Sequence, residues 1–498
     1  MKKRVPIRRI ETGVPGLDWI LGGGLPEFSF NLLAGTPGAG KTTLAHQIMF
    51  SAANADRRAL YFTVLGEPPL KMLRYQQQFE FFDAAKVGKS IRFVNLAPDL
   101  IKGDLKKVLA TILREVEADS PSLVFVDSFR SIMVATKERA QGEMELQHFV
   151  QELGIHLTSW EATTFLIGEY NEGDQSNPIF TVADGLIWLT QDTYQGSMVR
   201  KLEIKKMRGQ ASLPGQHTIR IDEQGIRTFP RAILGSLPSG LPKGAASRIL
   251  KRISMGVPRL DEMLGGGLPK GYSLLVAGPS GSGKTIMATE FLAEGARRGE
   301  TGVMAAFEKS PGLGLSPALA PLVHSGKVGI VSTRALDLSI DATLYELTEM
   351  IHRMKATRVV IDSLSGFELA LAPTYREDFR DSMYRMISVL TSLGVSVLAT
   401  SELEDRYTDL RFSPYGTAFL TDAIILERYV QLEDELRRCI AVAKVRNSDH
   451  SKELREFTIV KGRMVIGEVL KGYEGLLVGH ARQEREWLPT KHGAAKKR

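Results

Sequence analysis

The chain has 498 residues, 43% hydrophobic and 24% charged, a globular composition with room for two or three cores. No apolar run approaches the roughly 20 residues of a membrane-spanning helix, and a single cysteine, Cys439, excludes an intrachain disulfide and a cysteine-built metal cluster. The net charge of +7 resides at the ends: Lys2, Lys3, Arg4, Arg8 and Arg9 open the chain and Lys491, Lys496, Lys497 and Arg498 close it, leaving a slightly acidic body. Such runs read as solvated tails rather than as an arm for nucleic acid or another anionic partner.

The basic start leads into no signal-peptide core, so a cytoplasmic protein without membrane attachment is expected. Short apolar runs then alternate with longer amphipathic ones: "FNLLAG" (30–35), "ALYFTVLG" (59–66), "SLVFVDS" (122–128), "TTFLIGE" (163–169) and "GLIWLTQ" (185–191). Continuous apolar strands separated by helical stretches suit a mostly parallel sheet buried on both faces, an α/β fold. Two-sided patterns follow, "VRKLEIKKMRG" (199–209) and "HTIRIDEQGIRTF" (217–229), and predict an antiparallel extension of that sheet. A Pro, Gly and Ser-rich linker, "FPRAILGSLPSGLPKGAAS" (229–247), comes next.

The series then repeats: "SLLVAG" (273–278), "GVMAAFE" (302–308), "RVVIDS" (358–363), "VSVLATS" (395–401), "AIILER" (423–428), and the two-sided "RRCIAVAKVRN" (437–447) and "REFTIVKGRMVIGE" (455–468). Residues 10–42 align without a gap on 253–285, a shift of 243 positions. So long a period marks duplicated whole domains, expected at 1–245 and 246–475, with a basic flexible tail at 476–498.

Each copy carries G-x-x-x-x-G-K-[ST] after a strand and before a helix. The first loop comprises Gly35, Thr36, Pro37, Gly38, Ala39, Gly40, Lys41, Thr42 and Thr43. The second comprises Gly278, Pro279, Ser280, Gly281, Ser282, Gly283, Lys284, Thr285 and Ile286. The glycines let backbone N–H groups turn toward phosphate oxygens at a helix N-terminus. Lys41 and Lys284 are then expected on the β and γ phosphates of ATP, and Thr42 and Thr285 on Mg²⁺. Asp127 and Asp362, at the tips of apolar strands in the same place in both copies, complete the expected magnesium site.

With "TGVPGLDWILGGGLP" and "MGVPRLDEMLGGGLP" ahead of the loops, "VFVDS" and "VVIDS" within, and "KKMRG" and "AKVRN" late in each copy, the chain resembles the KaiC family. The resemblance runs from about residue 7 to about residue 475 and implies tandem RecA-like P-loop ATPase domains. It also implies a homo-hexamer of two stacked rings with ATP between neighbouring subunits, and a protein partner that reads it. Carried over, Lys206 and Arg208, and Lys444 and Arg446, would reach the neighbour's γ-phosphate. The family's paired glutamates are reduced here to one acid per copy, Glu67 in "LGEPP" and Glu308 in "FEKSP". Glu308 holds the position expected of the base and Glu67 lies one place off, so the second ring is expected to hydrolyse ATP and the first to act as an assembly clamp.

The family's phosphate-accepting Ser-Thr pair falls on Ala418 and Phe419, which cannot be phosphorylated, although Ser413 and Thr417 lie nearby. ATP hydrolysis is therefore favoured, with serine/threonine autokinase activity the main alternative. A non-catalytic, ATP-regulated scaffold is another. DNA translocation is disfavoured, because "YNEGDQSNPIF" (170–180) is acidic and "ELEDRYTDLRFSPYG" (402–416) is mixed in charge.

Overall fold

The computed structural model describes residues 7–64, 69–100, 105–129, 132, 142–170, 178–194, 197–231, 251–307, 316–331, 339–371, 379–403, 420–432, 435–471, 473–474 and 482–483. The chain divides into two compact units, Met1–Arg231 and Ala232–Arg498.

The first unit is built on a nine-stranded sheet in the order Gly225–Phe229, Gln216–Asp222, Ser197–Met207, Gly185–Tyr194, Phe30–Gly35, Thr163–Glu169, Leu123–Asp127, Ala59–Thr63, Ile91–Asn95. From Gly185–Tyr194 to Ile91–Asn95 every neighbouring pair is parallel, and the other three strands return antiparallel. The loop-bearing strand, Phe30–Gly35, lies at the centre with all six residues buried. That position explains its unbroken apolar character, because helices cover both faces.

The second unit repeats the architecture. Its nine strands run Val328–Val331, Gly302–Ala306, Arg358–Asp362, Ser396–Glu402, Ser273–Gly278, Ala423–Leu432, Glu435–Val445, Arg455–Val460, Arg463–Val469. Both units are thus the α/β sheet with an antiparallel extension that the sequence pattern predicts, and they match the tandem RecA-like domains that the resemblance implies. Both also carry an outer parallel strand that the apolar runs do not reveal, Ile91–Asn95 and Val328–Val331.

Each sheet has an apolar layer on either face. In the first unit, Leu44, Ile48 and Met49 of the Lys41–Ala52 helix join Tyr61, Phe125 and Phe165 on one side. Val108, Ile112 and Val116 of the Leu105–Asp119 helix join Phe62, Val124 and Leu166 on the other. The Phe125 and Phe165 rings stack at 4.7 Å, a contact worth about 1 kcal/mol beyond the area it buries. In the second unit Phe291 and Met287 occupy the face behind the phosphate loop, and Leu347 and Ile351 the opposite face.

Candidate functional site: two phosphate loops

The loops leave the carboxyl ends of the central strands, where open α/β sheets bind ligands. Gly38 and Gly40 have φ of 74° and 100°, and Gly281 and Gly283 have φ of 75° and 134°, in the left-handed region that a side chain disfavours. Gly35 is constrained by contact as well: a Cβ there would lie 1.7 Å from the Leu189 carbonyl oxygen.

The helices that follow, Lys41–Ala52 and Lys284–Arg297, begin at Gly40 and Gly283 with no side-chain cap. By contrast, two other helix starts in the second unit are closed by side chains: Ser339 accepts from the Ala342 N–H and Ser363 from the Gly366 N–H. Backbone donors at an uncapped start stay available, and the helix dipole adds partial positive charge there. Lys41 Nζ donates to Thr36 O at 2.7 Å, and Lys284 Nζ donates to Gly278 O at 2.9 Å and Pro279 O at 2.7 Å. Both ammonium groups therefore lie within the loops they follow.

Each acid sits beside its loop. In the first unit Thr42 Oγ1 donates to Asp127 Oδ2 at 2.8 Å, and the buried Tyr61 hydroxyl donates to the same oxygen at 2.8 Å. Burial pushes the Asp127 carboxyl above its usual range, opposed by these two hydrogen bonds and by the charge of Lys41. In the second unit Ser280, Gly281, Gly283, Lys284, Thr285, Ile286, Asp362, Ser363 and Glu402 line one cleft of ≈ 210 Å³. There Asp362 accepts from the Thr400 hydroxyl. A threonine hydroxyl and a carboxylate converging beside a phosphate loop are hard oxygen donors that fit Mg²⁺, which favours such ligands together with phosphate oxygens.

Motif spacing does not mark Glu402. It ends the Ser396–Glu402 strand, and Glu169 ends the corresponding strand of the first unit, each paired with the first glycine of its loop, Gly278 and Gly35. The signal was present in "LIGE" and "ATSE", which place an acid at the same strand tip in both copies.

Lys206, Arg208, Lys444 and Arg446 lie at the opposite end of their sheets. Lys206 pairs with Leu186, and its Nζ donates to Thr181 O at 3.1 Å; Arg208 forms a 3.1 Å ion pair with Asp184. In the second unit Lys444 Nζ donates to Thr421 O at 2.7 Å and Arg446 pairs with Asp422 at 3.4 Å. Partial burial and the adjacent arginine lower the affinity of both lysines for their proton. The structure does not bring these four cations to the loops of their own units. Glu67, Glu308, Ser413, Thr417, Ala418, Phe419 and most of 476–498 lie outside the described residues, as do most of 170–180 and 402–416.

Two RecA-like sheets, each with a glycine loop, a lysine and a strand-tip aspartate in register, define a tandem P-loop nucleotide-binding protein. A family model described as "ATPase: KaiC" matches residues 10–233 and again 253–471. The chain belongs to the KaiC family of ATPases. It is 29% identical over 492 residues to the circadian clock protein KaiC3 of Synechocystis sp., covering 95% of this chain and 94% of that protein. It is 27% identical over 487 residues to the circadian clock oscillator protein KaiC of Picosynechococcus sp., covering 95% and 92% respectively. Among the described residues no helix is long and apolar enough to cross a membrane.

Proposed function

We propose that the chain is a cytoplasmic signalling ATPase that binds Mg²⁺–ATP in both units and assembles as a double-ring homo-hexamer with nucleotide between neighbouring copies. The supporting observation is the doubled site: two uncapped helix starts behind left-handed glycines, each beside a lysine and a strand-tip aspartate. Backbone amides and Lys41 or Lys284 hold the triphosphate, and Thr42 with Asp127, or Thr285 with Asp362, hold the metal. Bound there, Mg²⁺ would neutralise charge on the β and γ oxygens. Lys206 and Arg208, and Lys444 and Arg446, face away from their own loops and serve the nucleotide of the next copy, as a head-to-tail ring requires.

Glu308 positions the attacking water in the second ring, and the first ring, with Glu67 displaced by one residue, turns over slowly and clamps the assembly. A protein partner reads the nucleotide state, and the clock names of the relatives make timing one candidate output. The autokinase reading is second, because Ala418 and Phe419 offer no hydroxyl where the family pair falls.

The test is phosphate release together with intact mass after incubation with Mg²⁺–ATP. Free phosphate from a chain of unchanged mass is expected, with the second-ring rate reduced about 10²- to 10⁴-fold by Glu308→Gln. A gain of about 80 Da would overturn the hydrolase reading in favour of the kinase. Absence of phosphate release would leave the scaffold.

A further inference from the structure

The floors beneath the two phosphate loops differ. In the first unit Gly35 pairs with Leu189, and the loop residue above it is Ala39, wholly buried. The 243-residue shift puts Ser282 in place of Ala39, and the sheet register puts Glu427 in place of Leu189. Glu427 is fully buried, and a Cβ on Gly278 would lie 2.9 Å from the Glu427 Cβ. Its Oε2 accepts from Ser282 Oγ at 2.7 Å, and its Oε1 has no hydrogen-bond partner among the described residues. Two residues along the same strand, Tyr429 reaches Gly281, where the first unit has Gln191 against Gly38. An apolar floor under one loop is thus a carboxyl floor under the other.

We infer that Glu427 is a positioning residue for the second phosphate loop: it fixes the loop through Ser282, and it takes up a proton when a nucleoside triphosphate binds above it. This rests on the reading of 278–285 as a nucleotide loop. The charged groups that act on Glu427 are Lys284 from the helix after the loop and Arg438 from the neighbouring Glu435–Val445 strand, both favouring the carboxylate. Burial outweighs them and the Ser282 hydrogen bond, and pushes the carboxyl up to about 7. An incoming triphosphate adds negative charge directly over the group and draws away the ammonium of Lys284, which now donates to Gly278 O and Pro279 O. Both changes disfavour the carboxylate, so the bound form holds its proton to higher pH than the free form. The sign follows: affinity is full below the free-state value near 7 and falls as pH rises through it. Leu189 gives the first loop no such dependence.

The experiment uses the full chain carrying Lys41→Ala, so that a fluorescent ATP analogue with Mg²⁺ reports the second loop alone. Affinity should weaken as pH rises through 7, by up to about tenfold per pH unit. The γ-phosphate titrates nearby, so Glu427→Gln is the reference: it keeps the acceptor for Ser282 and the nucleotide's own titration while removing the carboxyl. A flatter profile in Glu427→Gln is expected. Glu427→Leu combined with Ser282→Ala, which installs the pair of the first unit, should be equally flat and guards against a Gln variant that folds poorly. Superimposable profiles for the Lys41→Ala chain and its Glu427 variants would overturn the inference. Undiminished binding by Lys41→Ala/Lys284→Ala would instead overturn the nucleotide reading beneath it.

Discussion

The supply of cations from the neighbouring copy can be tested by mixing two crippled chains. Lys444 pairs with Ile424 and Ile424 with Leu275, three residues short of Gly278, where the second loop begins. Three residues correspond to about 10 Å along the strands and two strand spacings to about 10 Å across them, so Lys444 stands about 14 Å from its own loop. A lysine side chain spans only about 6 Å. Across about 14 Å of water two unit charges interact by about 0.3 kcal/mol, whereas a cation delivered in trans to a transferring phosphoryl group raises turnover about 10³- to 10⁵-fold. One chain carries Lys284→Ala, the other Lys444→Ala with Arg446→Ala, and both keep the first unit intact. Each alone should lose second-ring turnover, and the Lys284→Ala chain sets the background from the first ring. Mixed equally before nucleotide is added, about a quarter of junctions in a head-to-tail ring join an intact loop to an intact cation pair. Phosphate release should recover to about that fraction of the wild-type second-ring rate. If the mixture only averages its two components, the pair does not act between chains and the reasoning fails.

Asp362→Asn should abolish most of the strengthening that Mg²⁺ gives to nucleotide binding, by about 10- to 100-fold, while metal-free binding changes little; titrations with and without magnesium check this. Gly35→Ala should destabilise the first unit by about 3 kcal/mol, because the new Cβ meets the Leu189 carbonyl and the backbone sits at φ 143°; denaturant unfolding of the first unit measures it. Arg358→Met should cost about 3–5 kcal/mol in the second unit. The Arg358 side chain is 1% exposed and bonds Glu300 at 2.6 Å and the carbonyls of Ser254 and Phe291 at 2.8 Å each, and the change removes all three bonds. Adding Glu300→Met should recover part of the loss in a double-mutant cycle.

Central strands were legible in the sequence because both of their faces are covered, as in "FNLLAG" and "SLLVAG". The outer strands were not: Ile91–Asn95 is half-buried along most of its length and mixes Arg92 and Asn95 with its apolar residues. The loops and their lysines follow from spacing, since phosphate binding constrains neighbouring residues in one segment, and the aspartates follow from the ends of apolar runs that recur in both copies. Contacts made by sheet order do not. Tyr61 meets Asp127 only because the Ala59–Thr63 and Leu123–Asp127 strands are adjacent, and Lys206 faces away from its loop only because its strand returns antiparallel. Glu427 was hidden for another reason: a glutamate in "AIILER" reads as the exposed end of a strand, and only its neighbours Gly278 and Ser282 show it buried.

Helix starts without a side-chain cap are indiscriminate about the oxyanion they accept. Inorganic phosphate, pyrophosphate and sulfate should all compete at Gly40 and Gly283, so the protein's response to nucleotide depends on the anions around it. Released phosphate would act as a product inhibitor, and a purification buffer rich in sulfate would mute both sites before any assay began.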